Sequence, residues 1–270
     1  MEFKYCIENE DFDIGKILES GQNLSFKKNG NIYSFMINNE EIFSYTENNK
    51  TYFSIDEEYF NNHLYNFFEL NVDYSYIRSQ INEKFPELIS YVEYGKGIRF
   101  ISQDLLEVAI VFIFSQNNNI NRILKSAQLL KERYGNNSFP TLDKLKELSQ
   151  DDFRNLGIGF RDKYVYNFVQ AIDEDWLYQI KKMDTKEAFL ELISFLGIGP
   201  KVANCILLFG LNKRDVFPVD THIKKIMQKL YFSDKDIDAL EIEKFALKKY
   251  GNLSSYVQQY LFYWQIMHKN

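Results

Sequence analysis

The chain has 270 residues, of which 45% are hydrophobic and 26% charged, so it is long enough to bury a full core and has the composition of a folded soluble protein. Its two cysteines, Cys6 and Cys205, are too far apart for a CxxC metal site and too few for an iron–sulfur cluster, which needs four thiolates. The net charge of −6 argues against a simple nucleic-acid binder.

The charge is uneven along the chain. Residues 1–100 carry 9 basic and 17 acidic side chains, whereas residues 101–270 carry 23 basic and 21 acidic ones. Contacts with phosphates need local positive potential, not a basic chain as a whole. The mildly basic second part therefore permits DNA binding without demanding it.

The sequence shows neither an export signal nor a membrane span. It begins without a basic segment followed by a hydrophobic one, and its most apolar stretch, 105–114, is short and interrupted by Glu107. These features predict a cytoplasmic protein without membrane contact, in which a disulfide is not expected.

Short β-rich runs separated by turns fill residues 14 to about 60. Strands are predicted at 32–37, 42–45 and 51–55, with turns at 29–31, at Asn38-Asn39 and at 47–50. Such a succession is typical of an antiparallel meander.

The pattern becomes helical from about residue 74, with apolar residues at intervals of three and four. Helices are predicted at 105–115, 121–134, 142–148, 151–156, 163–172, 185–196, 201–208, 221–230, 237–250 and 254–267. A sheet followed by helices indicates an α+β protein with two domains, 1–100 and 101–270.

One glycine motif occurs twice. Leu156-Gly157-Ile158-Gly159-Phe160 recurs forty residues later as Leu196-Gly197-Ile198-Gly199-Pro200, and each copy lies between two predicted helices. Glycine adopts positive φ without penalty, so the motif suits a tight turn whose amides bind a phosphate at the following helix. An ordinary turn between helices is the alternative, and the first copy leaves both interpretations open.

Two charged residues follow the second copy. Lys201 lies in the first turn of a helix, where the helix dipole disfavours a cation and makes a neutral amine more available. Asp220 lies at the expected N-cap of the next helix. Such a pair can supply an amine nucleophile and a carboxylate that stabilises a developing cation. Cys205 lies on the same helix face as Lys201 and is also readily explained as a small core residue.

The motif Gly197-Ile198-Gly199-Pro200-Lys201, followed by Phe217-Pro218-Val219-Asp220-Thr221-His222, resembles the helix–hairpin–helix DNA glycosylases. More narrowly, the chain resembles 8-oxoguanine DNA glycosylases that carry an amino-terminal sheet domain. Four further segments match that subgroup in its order, namely Ser20-Gly21-Gln22, residues 115–123, residues 156–161 and residues 251–262.

The resemblance implies an α+β fold with an N-terminal antiparallel, TBP-like sheet followed by a mostly α-helical helix–hairpin–helix domain. It also implies roles for individual residues: Lys201 and Asp220 are catalytic, Gly21, Cys205, Gln258 and Phe262 bind the lesion, and Asn117, Arg122, Phe160, Arg161, Gly197, Gly199 and His222 contact DNA.

The implied activity is repair of double-stranded DNA that contains 8-oxoguanine, by a monomer associated with the nucleoid of a prokaryote. The damaged nucleotide leaves the base stack, Lys201 displaces the base through a Schiff base, and β-elimination nicks the strand. This chemistry requires no metal or redox cofactor.

Two alternatives belong to other classes. A related alkylated-base glycosylase has the same hairpin but typically lacks a lysine at position 201, and a non-catalytic helix–hairpin–helix module needs neither Lys201 nor Asp220. One departure concerns the wedge position, which is Phe160 here and commonly tyrosine in eukaryotic members. It leaves open how strictly Arg122 selects cytosine in the opposite strand.

Overall fold

The structure is a computed structural model that describes residues 2–8, 10–23, 26–37 and 40–268. The predicted turn at Asn38-Asn39 lies outside these residues. The chain forms two compact units: the first comprises Met1–Ile37, Glu41–Ser102 and Arg214–Asn270, and the second comprises Gln103–Lys213 with Asn38–Glu40. The C-terminal helices thus pack with the N-terminal part of the chain, and the domain division at residue 100 stays a prediction.

Five strands form one antiparallel sheet in the first unit. In chain order they are β1 (Tyr5–Glu8), β2 (Phe26–Asn29), β3 (Ile32–Ile37), β4 (Glu40–Glu47) and β5 (Lys50–Phe53). The order across the sheet is β1-β5-β4-β3-β2, with Cys6 opposite Tyr52 and Phe26 opposite Phe35. The sheet confirms the predicted meander and adds two strands that were not predicted, β1 and β2, at its two edges.

The hairpin turns follow from the sequence. Asn48 and Asn49 both have positive φ, 49° and 61°, between the paired residues Glu47 and Lys50. Two consecutive left-handed residues are the signature of a type I′ turn, whose twist matches that of the strands.

The described residues form sixteen α-helices: α1 (Ile14–Glu19), α2 (Glu57–Tyr59), α3 (Tyr65–Phe67), α4 (Tyr74–Lys84), α5 (Ile89–Tyr94), α6 (Leu105–Phe114), α7 (Ile120–Tyr134), α8 (Leu142–Lys146), α9 (Gln150–Phe153), α10 (Asp162–Ala171), α11 (Glu174–Lys182), α12 (Thr185–Ile193), α13 (Pro200–Phe209), α14 (Thr221–Tyr231), α15 (Ala239–Tyr250) and α16 (Ser254–Met267). Single π-helical turns occur at Phe60–Leu64 and Arg154–Ile158, and 3₁₀ turns at Pro86–Leu88, Gly159–Arg161 and Gly251–Leu253. No helix of the described part is long and apolar enough to cross a membrane.

The first unit has two hydrophobic clusters. One packs α1 and the helical segment 57–68 against the sheet, around Phe35, Phe53 and Phe68. The other joins residues 81–98 to the C-terminal segment 217–263, with Leu88, Ile223 and Leu261 completely buried. This second cluster thus joins residues 81–98 and the C-terminal helices in one core.

The second unit is built around two buried helices. All residues of α6 except Glu107 are buried, and so are those of α13 from Val202 to Phe209. The two helices stack Phe112 on Phe209, with ring centroids 5.5 Å apart and nearly parallel planes. Glu107 pairs with the buried Lys131 at 2.8 Å, which explains an acidic residue in so apolar a helix.

The prediction that residues 14–60 are entirely β-rich was wrong at two places. Residues Ile14–Glu19 form α1, which Asp13 caps and which buries Ile14, Ile17 and Leu18. Residues 57–67 are helical as well, whereas the helical pattern was placed only from residue 74 onward. Helix α1 has only six residues, and the π turn Phe60–Leu64 divides the segment 57–67, so neither shows a clear helical period. Both segments are stabilised by burial against the sheet.

We expect Leu88→Ala to destabilise the C-terminal helices, although Leu88 lies in the first hundred residues of the chain. Its completely buried side chain belongs to the cluster that contains Ile223, so the cavity costs about 2–5 kcal/mol of unfolding free energy. Hydrogen exchange should then show faster exchange for the amides of α14. Ile89→Ala, which removes a 43% exposed neighbour, is the control. Unchanged protection of α14 in Leu88→Ala would contradict the shared core.

Candidate active site

The turn between α12 and α13 in the second unit carries the second glycine motif. Gly197 has φ of +88°, and a Cβ there would lie 2.3 Å from Cγ of Tyr164. Glycine is therefore required by both conformation and space. Gly199 is extended at φ −88° and ψ 175°, as expected for the residue that precedes Pro200.

The two copies of the motif differ at the second glycine. Gly157 and Gly197 both have positive φ, but Gly159 has φ of +62° where Gly199 is extended. A Cβ built on Gly199 meets no atom of the described residues within 4 Å, so the fold itself does not explain a glycine there. The space beside Gly199 would allow a group from outside the chain to approach the backbone closely.

Lys201 lies in the first turn of α13 and is half-buried. Its Nζ lies 5.3 Å from the ring centroid of Phe112 on α6, a distance at which the ring attracts the ammonium group. One turn later in α13, Cys205 is buried with 3% of its surface exposed. The helix thus carries a half-buried Lys201 in its first turn and a buried Cys205 one turn later.

Asp220 in the first unit is the N-cap of α14. Its Oδ1 accepts hydrogen bonds from the backbone N–H groups of His222 at 2.9 Å and Ile223 at 2.8 Å. These two bonds fix the direction of the carboxylate, as the sequence predicts. The preceding residues Val216, Phe217 and Val219 are buried and anchor the cap.

Four predicted site residues of the first unit lie together. Gly21 has φ of +79°, and a Cβ there would lie 2.6 Å from Cε1 of Phe262. The Phe262 ring is also 6.0 Å from the ring of His222, edge to face. Gln258 donates from Nε2 to the carbonyl of Pro218 at 3.4 Å, two residues before Asp220. The start of the chain, the Asp220 cap and α16 thus converge around Phe262.

The predicted DNA-contacting residues of the second unit form another group. Phe160 is 53% exposed, and its ring stacks on the guanidinium of Arg161 at 4.4 Å and meets Tyr164 edge-on at 6.0 Å. Asn117 adopts positive φ of 45°. Arg161 holds that turn, because its Nη2 donates to the carbonyl of Asn117 at 2.7 Å and its Nε to that of Gln116 at 2.6 Å.

Arg161 is buried rather than open to solvent, with 4% of its surface exposed. Burial, followed by the nearby positive charge of Arg122, lowers the pKa of Arg161 from its ordinary value. Arg122 is exposed in the first turn of α7, where its backbone N–H donates to the capping Asn119. Arg161 thus stabilises the turn at Gln116-Asn117 from the interior, whereas Arg122 lies at the surface.

Sequence reasoning missed four residues that support these groups. Phe112 lies against Lys201 and Tyr164 against Gly197, while Gln22 and Gln259 bind the turn around Gly21. Gln22 follows Gly21 and Gln259 follows Gln258, so both glutamines lie within segments that the motifs identify. Their partners were not, because these contacts join residues far apart along the chain.

Two sequence families match the chain. That of "8-oxoguanine DNA glycosylase, N-terminal domain" covers residues 4–108, and that of "HhH-GPD superfamily base excision DNA repair protein" covers residues 110–251. The second family alone matches more than half of the chain.

Individual proteins are similar as well. The N-glycosylase/DNA lyase OGG1 of Arabidopsis thaliana is 30% identical over 220 residues, which are 74% of this chain and 60% of that protein. The chain thus spans less than two thirds of the length of this relative. The crystal structure of the Clostridium acetobutylicum 8-oxoguanine glycosylase/lyase, in complex with double-stranded DNA containing cytosine opposite 8-oxoguanine, matches with a TM-score of 0.90 and 32% identity over 99% of both chains.

A more distant similarity concerns the fold alone. The 3-methyladenine DNA-glycosylase of Archaeoglobus fulgidus is 18% identical and superimposes with a TM-score of 0.75 over 98% of this chain and all of that one. The architecture, an N-terminal five-stranded antiparallel sheet followed by a helical domain, confirms the predicted fold class. The chain belongs to the HhH-GPD superfamily of base excision DNA repair proteins and, within it, to the 8-oxoguanine DNA glycosylases.

Proposed function

We propose that the protein excises 8-oxoguanine from double-stranded DNA and then nicks the strand. Lys201 in the first turn of α13 is the observation that carries this proposal. A glycosylase that uses only water has no need of an amine at this position, whereas a glycosylase/lyase needs one nucleophile for both steps. The matches to proteins named as glycosylase/lyases over this chain's length support the same activity.

The reaction begins at the glycosidic bond of a nucleotide that has left the base stack. The neutral amine of Lys201 attacks C1′, the bond from C1′ to N9 breaks, and its electron pair leaves with the base. Asp220 stabilises the positive charge that develops on the sugar. Its Oδ1 is held by two backbone N–H groups, so its direction is set before the substrate arrives.

The strand is cut in a second step. The attacking nitrogen loses one proton to the departing base, the bond from C1′ to O4′ breaks, and O4′ takes up a proton from water. The product is a protonated imine between C1′ and Lys201, which makes the C2′ hydrogens acidic. Loss of one C2′ proton expels the 3′ phosphate by β-elimination, and water then hydrolyses the imine and frees Lys201. Every atom transferred comes from DNA, the lysine or water, so the reaction as proposed uses no metal or redox cofactor.

DNA recognition falls to the remaining residues. We place Gly21, Cys205, Gln258 and Phe262 around the extruded base, and Gly197, Gly199 and His222 along the backbone of the damaged strand. On the opposite strand, the exposed Phe160 replaces the missing base pair, Arg122 reads cytosine, and Asn117 is held by Arg161. The protein acts as a monomer on DNA in the cytoplasm, at the nucleoid.

The two alternatives are weaker. The alkylated-base glycosylase shares the fold, but Lys201 is the residue such an enzyme typically lacks. A binding module without activity would give no role to a lysine beside the hairpin or to an aspartate fixed by two N–H groups.

We expect Lys201→Gln to abolish both borohydride trapping on an 8-oxoguanine duplex and strand nicking, because an amide cannot form an imine. Binding of the lesion duplex should stay nearly unchanged, since phosphate contacts supply most of the affinity. Lys224→Gln removes the same charge from α14, where Lys224 pairs with Asp236, and should be trapped like the wild type. Undiminished trapping of Lys201→Gln would show that another amine is the nucleophile.

Asp220→Asn separates the charge of the carboxylate from its role as a helix cap. Asparagine caps a helix about as well as aspartate, so we expect an unchanged melting temperature. Single-turnover excision should fall about 10²–10³-fold, because a neutral amide stabilises the sugar cation poorly. Asp184→Asn makes the same change at the N-cap of α12 and should keep the wild-type rate. An active Asp220→Asn would remove Asp220 from the mechanism.

Gly21→Ala should reduce excision of 8-oxoguanine about tenfold or more. The added methyl group would collide with Phe262, so the ring and the carbonyl of residue 21 would have to move. The carbonyl of Gly21 would accept the hydrogen on N7 that only 8-oxoguanine has, and losing such a bond costs about 1–3 kcal/mol. Gly30→Ala is the matched control: Gly30 also has positive φ, 62°, but a Cβ there meets no described atom within 4 Å. If both variants excise 8-oxoguanine at the same rate, residues other than Gly21 distinguish 8-oxoguanine from guanine.

A further inference from the structure

The turn Ser20-Gly21-Gln22 is held from one side by the buried side chain of Gln22. Its Nε2 donates to the carbonyl of Arg99 at 2.7 Å and to Oγ of Ser20 at 3.0 Å. Its Oε1 accepts from the backbone N–H of Ile101 at 3.1 Å. Since only 1% of Gln22 is exposed, these bonds tie the turn to residues 99–101 without competition from water.

A second glutamine holds the turn from α16. Nε2 of Gln259 donates to the carbonyl of Ser20 at 3.0 Å, and 3% of Gln259 is exposed. Phe262, three residues later on the same helix face, lies against Gly21. One face of α16 therefore contacts two consecutive residues of the turn, one through a hydrogen bond and one through a ring.

The bond to Ser20 orients Gly21 directly. The carbonyl of Ser20 and the N–H of Gly21 belong to one planar peptide group, so fixing the oxygen fixes the plane from which Gly21 continues. Gly21 has φ of +79°, and glycine has many other accessible conformations. A turn built on glycine is defined only if neighbouring contacts select one of them.

Stability alone does not explain a glutamine at position 259. An apolar residue is the usual occupant of a buried helix position, and burying an amide costs free energy unless all its polar atoms are paired. Oε1 of Gln259 is buried and has no hydrogen-bond partner among the described residues. Gln259 thus makes one hydrogen bond, from Nε2 to Ser20, while its Oε1 stays unpaired. This cost in stability indicates that the bond to Ser20 serves another purpose.

We propose that Gln259 is a positioning residue that sets the Gly21 carbonyl and the Phe262 ring at a fixed separation for lesion recognition. The proposal rests on the proposed function, in which these two groups contact the extruded base. Chemistry at the sugar does not use the turn. Losing the bond should therefore impair excision of the lesion base while sparing reactions in which no base is present.

Gln259→Met tests this, since methionine keeps the length of the side chain without its donor. Single-turnover excision of 8-oxoguanine opposite cytosine should fall at least tenfold, and nicking of a duplex with a preformed abasic site should stay within about twofold of wild type. The abasic reaction also verifies that the variant is folded. Ser255→Ala changes another buried polar residue of α16, whose Oγ has no partner within the described residues, and should leave both rates unchanged.

Gln259→Glu provides a second test at nearly constant size. Only the protonated carboxyl donates to the Ser20 oxygen, so its excision rate relative to wild type at the same pH should rise as the pH is lowered. Wild-type excision by Gln259→Met, or equal loss of both reactions in a variant that keeps the wild-type melting temperature, would overturn the proposal. If the wild type nicks abasic sites but leaves 8-oxoguanine in place, the proposed function fails instead.

Discussion

The hydrophobic cluster that joins residues 81–98 to residues 217–263 determines where the site residues of the first unit lie. It buries Phe217 and Val219 just before Asp220, and Val257 and Leu261 on the helix that carries Gln258 and Phe262. The packing of these buried residues fixes the positions of the polar residues that lie between them in the sequence. The positions of Asp220 and Phe262 therefore follow from core formation, whereas the turn around Gly21 is held by the hydrogen bonds of Gln22 and Gln259.

In the second unit, the proposed role of Lys201 requires a rigid support for the first turn of α13. The buried helices α6 and α13 provide this support, and the stacked rings of Phe112 and Phe209 hold them together. Pro200 begins α13 and forces Gly199 into an extended conformation, so the turn ends where the helix starts. Tyr164 packs on Gly197 and meets Phe160, which links the second glycine turn to this exposed ring.

Much of this was predictable from the sequence. The bounds of β3 and α16 agree with the predicted ranges. Turn residues flank β3 in the sequence, and a long apolar pattern runs through α16. Strand β1 was not visible, since its pairing of Cys6 with Tyr52 is non-local, and α1 is only six residues long. Lys201 and Asp220 stand out by motif spacing, whereas Gln259 bonds Ser20 across 239 positions and leaves no local signal. Predicted roles of site residues stay predictions.

Under the proposed function, Lys201 and the turn around Gly21 belong to different units, which bears on how catalysis and base selection evolve. Lys201 depends on the core of the second unit, and the turn around Gly21 on that of the first. Each tenfold step in rate corresponds to only about 1.4 kcal/mol, roughly one buried hydrogen bond. A polar contact such as that between Gln259 and Ser20 is therefore large enough to change base selection tenfold. Both residues of this contact belong to the first unit and Lys201 belongs to the second, so the proposed function implies that base selection can change while the lysine chemistry is kept.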